Sequence, residues 1–382
     1  MIQRSNLSLN KLTAPLVDNL AANAESLRLT VSYLTDGTRI IDAGIHAKGG
    51  IEAGRLIAEV CMGGLGIVKL RASTNFQNWS WHLDVHSSNP VLACLASQYA
   101  GWSLNHGKGK EAFNALGSGP ARALGSSEPL FDELGYRDEA EHAYIVIEAD
   151  KIPPVEVTTK IAEMCRISNE KLTVILTPTS SLAGAVQIVS RVLETSLHKA
   201  HELHFPLEKI IDGAGSAPLC PPSNDFLVAM SRTNDAILFA GQIQLFVEAS
   251  DEDTKELANS LPSSASKDYG KPFGEIFKDV KYEKGEYVYT FIINPVKNIS
   301  NDSLDLLKKL PKIKVGDNTS KGIARIIVSK NVENLYGSML DESKNQRDLD
   351  KTKPEIIALQ ELFEFASFGV KEDFSKDKSN NN

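Results

Sequence analysis

Apolar residues recur along this chain with the periods of helices and strands, and the clearest run lies between Leu172 and His204. Leu172, Val174, Ile175 and Leu176 read as a buried strand, Thr177 to Ser181 as a hydroxyl-rich turn, and the remainder as one long helix. At about 100° per residue, Leu182, Ala185, Ile188, Val189, Val192, Leu193 and Leu197 share one half of the helical wheel and must face a core. Opposite them Ser180, Gly184, Gln187, Arg191, Glu194, His198 and His201 form a narrow polar stripe, which either meets water or lines a pocket. Gly184 favours the pocket. A glycine inside a helix costs about 1 kcal/mol relative to alanine and marks a close approach to the backbone.

The same patterning predicts the other elements. An amphipathic helix spans about Leu12 to Leu27. Leu29 to Leu34 and Thr38 to Asp42 alternate as strands around Asp36-Gly37, a hairpin turn. A helix from Glu52 to Val60 closes on the glycines of the 61–66 segment. Asn89-Pro90 caps a helix expected to run from Val91 to Trp102. Gly117 to Arg122 reads as an exposed loop, His142 to Glu148 as a buried strand, and Ile152-Pro153-Pro154 as a break. Beyond the long helix, a strand at Lys209 to Asp212 runs into a glycine loop at 213–218. A short helix near Asn224 to Met230, a strand-rich stretch from Ala236 to Val247 and a surface helix from Asp251 to Leu261 come next. A polar loop at 265–273 then precedes strands at 287–293 and 323–328 and a helix at 355–365.

The expected fold is α/β with α+β character: two lobes with mixed sheets and a substrate cleft between them. At 382 residues the chain exceeds a typical single core. The break near 153 divides it into an N-terminal lobe, 1–153, and a C-terminal lobe, 154–370, carrying the long helix. A charged, asparagine-rich tail at 371–382 reads as disordered. With 49 acidic against 41 basic residues the net charge is -8, which argues against a nucleic-acid partner held by a general basic surface. Four widely spaced cysteines, no membrane-length apolar run and no signal-peptide pattern place the expected protein in the cytoplasm, away from membranes.

Candidate chemistry concentrates on the polar stripe. Arg191 and Glu194 have the spacing of an ordinary surface ion pair. In a dry pocket, however, the same pair can orient and activate a water. The glycine loops at 117 and 213 can cradle an anion, although neither matches a P-loop or dinucleotide fingerprint, and plain turns share their composition. His82 with His86, and His198, His201 and His204, have metal-compatible spacings. The second set sits at a helix C-terminus, where the dipole favours histidine anyway, so no metal is expected.

Seven segments in order resemble one family. They are Val60-Cys61-Met62-Gly63-Gly64-Leu65, Ser97-Gln98-Tyr99-Ala100-Gly101-Trp102, the run Gly117 to Leu124, the run Gln187 to Thr195, Gly213-Ala214-Gly215, Thr233-Asn234-Asp235, and the run Asp268 to Phe273. Together they resemble methenyltetrahydromethanopterin cyclohydrolase over roughly residues 10 to 280. The resemblance implies addition of water to a methenyl carbon bridging two nitrogens of a cyclic amidinium, with ring opening to the 5-formyl compound. It implies no metal or redox cofactor, the tetrahydromethanopterin or a dephospho analogue being the substrate carrier.

By the same resemblance, Arg191 and Glu194 are the catalytic pair. Gln187, Asn234 and Asp235 would meet the pterin. Ser118, Gly119 and Arg122, with Lys267 and Lys271, would meet its polar tail. Archaeal members are expected to carry Lys where this chain has Tyr99, which fits a bacterial form. The resemblance also implies two α/β lobes assembled as a homotrimer. It fades beyond about Tyr282. A hydrolase of another folate-like ligand and a non-catalytic carrier-binding protein are the alternatives.

Overall fold

Asp36 and Gly37, whose φ is +89°, turn the chain between β1 (Thr30–Tyr33) and β2 (Arg39–Asp42). The hairpin expected at this turn is present, with Tyr33 paired antiparallel to Arg39. The Asp36 carboxylate secures it by accepting from the Thr38 amide and hydroxyl and from Thr158 and Asn169. In this computed structural model the described residues are 7–73, 79–108, 112–279 and 323–324.

The hairpin forms one edge of a six-stranded sheet. Its other strands are β5 (Trp102–His106), β6 (Phe113–Ser118), β7 (Ala143–Glu148) and β8 (Leu172–Leu176), in the order β1-β2-β8-β7-β6-β5. β8 runs parallel to both β2 and β7, and the remaining pairs are antiparallel. Parallel strands need cover on both faces, and the alternation of side chains supplies two surfaces here. Ile41, Tyr144, Val146 and Ile175 pack under α1 (Leu9–Ala22) and α3 (Ile51–Cys61). Ile40, Ile145, Ile147, Val174 and Leu176 pack with Val157, Ile161 and Cys165 of α6 (Val155–Cys165), a helix the pattern reading missed. Short helices α2 (Ala24–Leu27), α4 (Ala121–Gly125) and α5 (Pro129–Leu134) complete this part.

The second sheet is antiparallel, in the order β11-β10-β9-β4-β3, from β3 (Ile67–Ala72), β4 (Trp81–Ser87), β9 (Ile210–Pro218), β10 (Gln242–Val247) and β11 (Ile323–Ala324). Each sheet therefore takes strands from both sides of residue 153, and the expected boundary does not run between the sheets. Spatial layers need not follow sequence halves when strands pair across long connections.

Three further expectations give way to packing. The long helix is two: α7 (Leu182–Val189) and α8 (Val192–Glu202), interrupted at Ser190-Arg191, where the Ser190 hydroxyl donates back to the Val186 carbonyl. The glycines at 213 and 215 lie within β9, where the side chains of Leu193 and Val192 pack closely on the strand. α9 (Phe226–Ala240) extends through residues expected to begin a strand. α10 (Asp251–Ser260) matches its expected place, and α11 (Phe273–Asp279) follows the polar loop. The elements expected at 287–293 and 355–365, most of the 323–328 strand and the 371–382 tail lie outside the described residues. Among the described residues no helix is long and apolar enough to cross a membrane.

Candidate active site

Between α7, which packs on α3 through Gly54, and α8, whose Val192, Leu193 and Leu197 join the core of the second sheet, the chain turns at Arg191. Arg191 occupies the N-cap position of α8, and Glu194 stands three residues on, in its first turn. Both are buried, with Arg191 Nη1 3.8 Å from Glu194 Oε2. This is not the exposed ion pair that the spacing alone allowed.

Arg191 is fixed by neutral groups as well. Nη1 donates to the Gln98 carbonyl, and Nη2 donates to Ser118 Oγ at 2.9 Å and Gln187 Oε1 at 3.3 Å. Its buried Nε–H has no hydrogen-bond partner among the described residues. A buried donor of this kind loses its water without replacement, and it is satisfied when a polar ligand atom arrives.

The Gln98 carbonyl is available because Gln98 is the last residue of a helix, the π-helix Val91–Gln98, closed where the Tyr99 amide donates to the Cys94 carbonyl at 2.7 Å. Asn89-Pro90 starts it as expected, but it ends four residues early, and Trp102 opens β5 instead. π-helical turns are rare and are frequent at functional sites.

A second carboxylate completes the group. Glu148 closes β7, and Thr179 of the turn after β8 donates its hydroxyl to Glu148 Oε1. β7 and β8 are parallel, so their carboxyl ends lie side by side, the usual location of ligand sites in such sheets. Burial pushes both Glu194 and Glu148 up from 4.5 to about 7; the Arg191 charge opposes this in both, and Arg122 opposes it for Glu194. The sequence reading passed over Glu148. The available clue was a carboxylate ending an otherwise apolar central strand.

Gly184 does not open a pocket. A Cβ there would lie 2.0 Å from the Pro178 carbonyl oxygen, so the glycine admits the turn that carries Thr179 against α7. At the other end of the stripe, the His198 ring stacks on Tyr99, with centroids 4.7 Å apart, and the Arg122 guanidinium lies 5.1 Å from the Tyr99 ring centre. His201 pairs with Glu133 at 2.7 Å. Among the described residues no group of three or more His, Cys, Asp or Glu could hold a metal ion.

The residues expected to contact substrate fall into three sets. Gln187 joins Arg191 directly. Gly117 to Arg122 is not an exposed loop: it is the end of β6, a turn and the start of α4. Ser118 is committed to Arg191, the Gly119 amide donates to the Ser97 carbonyl at 2.8 Å, and Arg122 has no exposed surface. Arg122 donates to both oxygens of Glu128 and to the carbonyls of Leu95 and Ser97. The third set lies on α9 and in the loop before α11. Asn234 Nδ2 donates to the Met230 carbonyl, and Asp235 accepts from the Phe273 amide and the Ser231 hydroxyl. Burial raises the Asp235 carboxyl to about 6. Lys267 is exposed, and Lys271 pairs with Asp268 at 2.9 Å.

Comparison with known proteins gives the family. The family model described as Cyclohydrolase (MCH) matches residues 8–287. The chain belongs to the MCH cyclohydrolase family. Relatives named methenyltetrahydromethanopterin cyclohydrolase occur in bacteria and in a methanogen. The one from Methylobacillus flagellatus is 60% identical over 276 residues, covering 72% of this chain and 83% of the relative. That from Xanthobacter autotrophicus is 57% identical over 271 residues, or 71% and 79% of the two chains. That from Methanothermobacter marburgensis is 42% identical over 284 residues, or 72% and 87%. Arg191, Glu194 and Glu148 of this cyclohydrolase all lie within the matched span.

Proposed function

We propose that this cyclohydrolase hydrolyses 5,10-methenyl-tetrahydromethanopterin, or a dephospho analogue, to the 5-formyl compound, reversibly and as a step of one-carbon metabolism. The observation that carries the reading is the buried pair of Arg191 and Glu194 together with the half-buried Glu148. They offer one fixed positive charge that acts on two carboxyls, both raised to about 7. Water addition to an amidinium needs a base for the water proton and an acid for the departing ring nitrogen, and carboxyls poised near neutral pH can serve in either form.

In this reading Glu194, held by Arg191, orients the water and takes one of its protons as the oxygen bonds to the methenyl carbon. Glu148 in its protonated form supplies a proton to the ring nitrogen as its bond to that carbon breaks. The remaining hydroxyl proton of the adduct leaves as the formyl C=O forms, and the net reaction releases one proton. The free Nε–H of Arg191 donates to the incoming oxygen. The cationic substrate is already an electrophile, so the reading requires no metal and no redox cofactor.

Gln187, Asn234 and Asp235 provide amide and carboxyl groups suited to a pterin edge, while Lys267 and Lys271 provide cations suited to a polar tail. A cleft between the two sheet layers, a homotrimer and a cytoplasmic location belong to the same proposal. The test is turnover of the methenyl compound by the purified protein and by Glu194→Gln. Activity in the parent, with about a 100-fold loss in the variant, supports the reading.

A further inference from the structure

Arg122 has no exposed surface and lies outside the Arg191–Glu194–Glu148 group, yet it is bound to the same π-helix as Arg191. Its Nε and Nη2 donate to the two Glu128 oxygens at 2.9 and 2.5 Å, a bidentate clamp. Its Nη1 donates to the carbonyls of Leu95 and Ser97 at 3.2 and 3.1 Å. The next carbonyl, that of Gln98, accepts from Arg191. The Ser97 carbonyl also accepts from the Gly119 amide at 2.8 Å, and Gly119 directly follows Ser118, whose hydroxyl accepts from Arg191. Gly119 adopts a φ of +105°, a left-handed conformation that glycine takes without strain. Two of the groups that hold Arg191 are therefore each one residue away from groups tied to Arg122 or to its carbonyl partners.

We propose that Arg122, clamped by Glu128, is a positioning residue for the reaction: through the Leu95 and Ser97 carbonyls it fixes the end of the π-helix and the Ser118 turn, and so sets where Arg191 stands beside Glu194. This rests on the cyclohydrolase reading of the Arg191–Glu194 pair. It replaces a contact between Arg122 and the substrate tail with an internal role. The Tyr99 ring lies against Arg122 and His198, so the clamp is also packed from the α8 side.

The experiment is a double-mutant cycle read in kcat and KM with the methenyl compound. Arg122→Lys keeps a positive charge but cannot make the fork to Glu128 and both carbonyl bonds together. It should lower kcat roughly tenfold and leave KM within about threefold. Arg191→Lys should lower kcat further, and the Arg122→Lys/Arg191→Lys double variant should be no slower than Arg191→Lys alone, because the positioned side chain is already lost. A merely structural role would give multiplicative losses in kcat, and that result overturns the proposal. So does a rise in KM at unchanged kcat, which would mark Arg122 as a substrate contact. If Arg122→Lys does not fold, Glu128→Asp, which shortens the clamp while keeping its charge, enters the same cycle with the same two outcomes. A parent protein that fails to turn over the methenyl compound defeats the functional reading itself. An active parent with multiplicative losses defeats only this inference.

Discussion

At the scale of the residue, the decisive property is that Glu194 is buried beside Arg191, whose charge also acts on Glu148. Burial alone would keep Glu194 neutral, and the Arg191 charge returns part of the ionised form, leaving the group near 7. Glu194→Gln keeps the shape and removes the base, so kcat should fall about 100-fold with little change in KM. The pH profile of kcat/KM should be bell-shaped around neutrality. Its acid limb comes from the base and its alkaline limb from the acid. Glu148→Gln should lower kcat/KM and remove the alkaline limb. An alkaline limb that persists in that variant assigns the acid to another group.

At the scale of the element, the sequence showed the polar stripe but not its shape. Gln187, Arg191 and Glu194 were legible because three- and four-residue spacing places them together on a helix. The break at Ser190-Arg191 was not, because a serine that bonds back to its own helix leaves the apolar period intact. The partners of the glycines are hidden in the sequence. Those at 184, 213 and 215 admit a turn or a helix side chain, a tertiary contact with no local signature. The π-helix was likewise hidden, since the residues from Val91 to Gln98 would suit an α-helix equally well. Gly184→Ala tests the packing account. It gains helix propensity but forces a methyl group onto the Pro178 carbonyl, and a net loss of about 1–2 kcal/mol is expected in urea unfolding. Because the displaced turn carries Thr179, kcat should fall as well. A stabilised, fully active variant would show that the turn yields freely.

At the scale of the whole molecule, hydrophobic periodicity gave the class of fold and most of the strands. It could not give the interleaving of the two sheets, which depends on pairings such as Asp84 with Ser216 across long stretches of chain. The buried carboxyls also mark the molecule's stability. Glu148 and Glu194 bind protons more tightly folded than unfolded, their values rising from 4.5 to about 7. The stability they confer is complete below about pH 4.5 and lost as pH rises through about 7. Asp36 and Asp42, held low by hydrogen bonds that outweigh burial, act oppositely and contribute above about pH 4. The unfolding temperature should thus decline from about pH 5 to 8, less steeply in Glu148→Gln; parallel slopes would contradict the assignment of Glu148. The most direct test of the central claim is the decay of the methenyl chromophore when purified protein meets methenyl-tetrahydromethanopterin, with methenyl-tetrahydrofolate in parallel. Rapid loss with the methanopterin compound, abolished to about 1% by Glu194→Gln, is the predicted result. Tight binding with the chromophore left intact would contradict it.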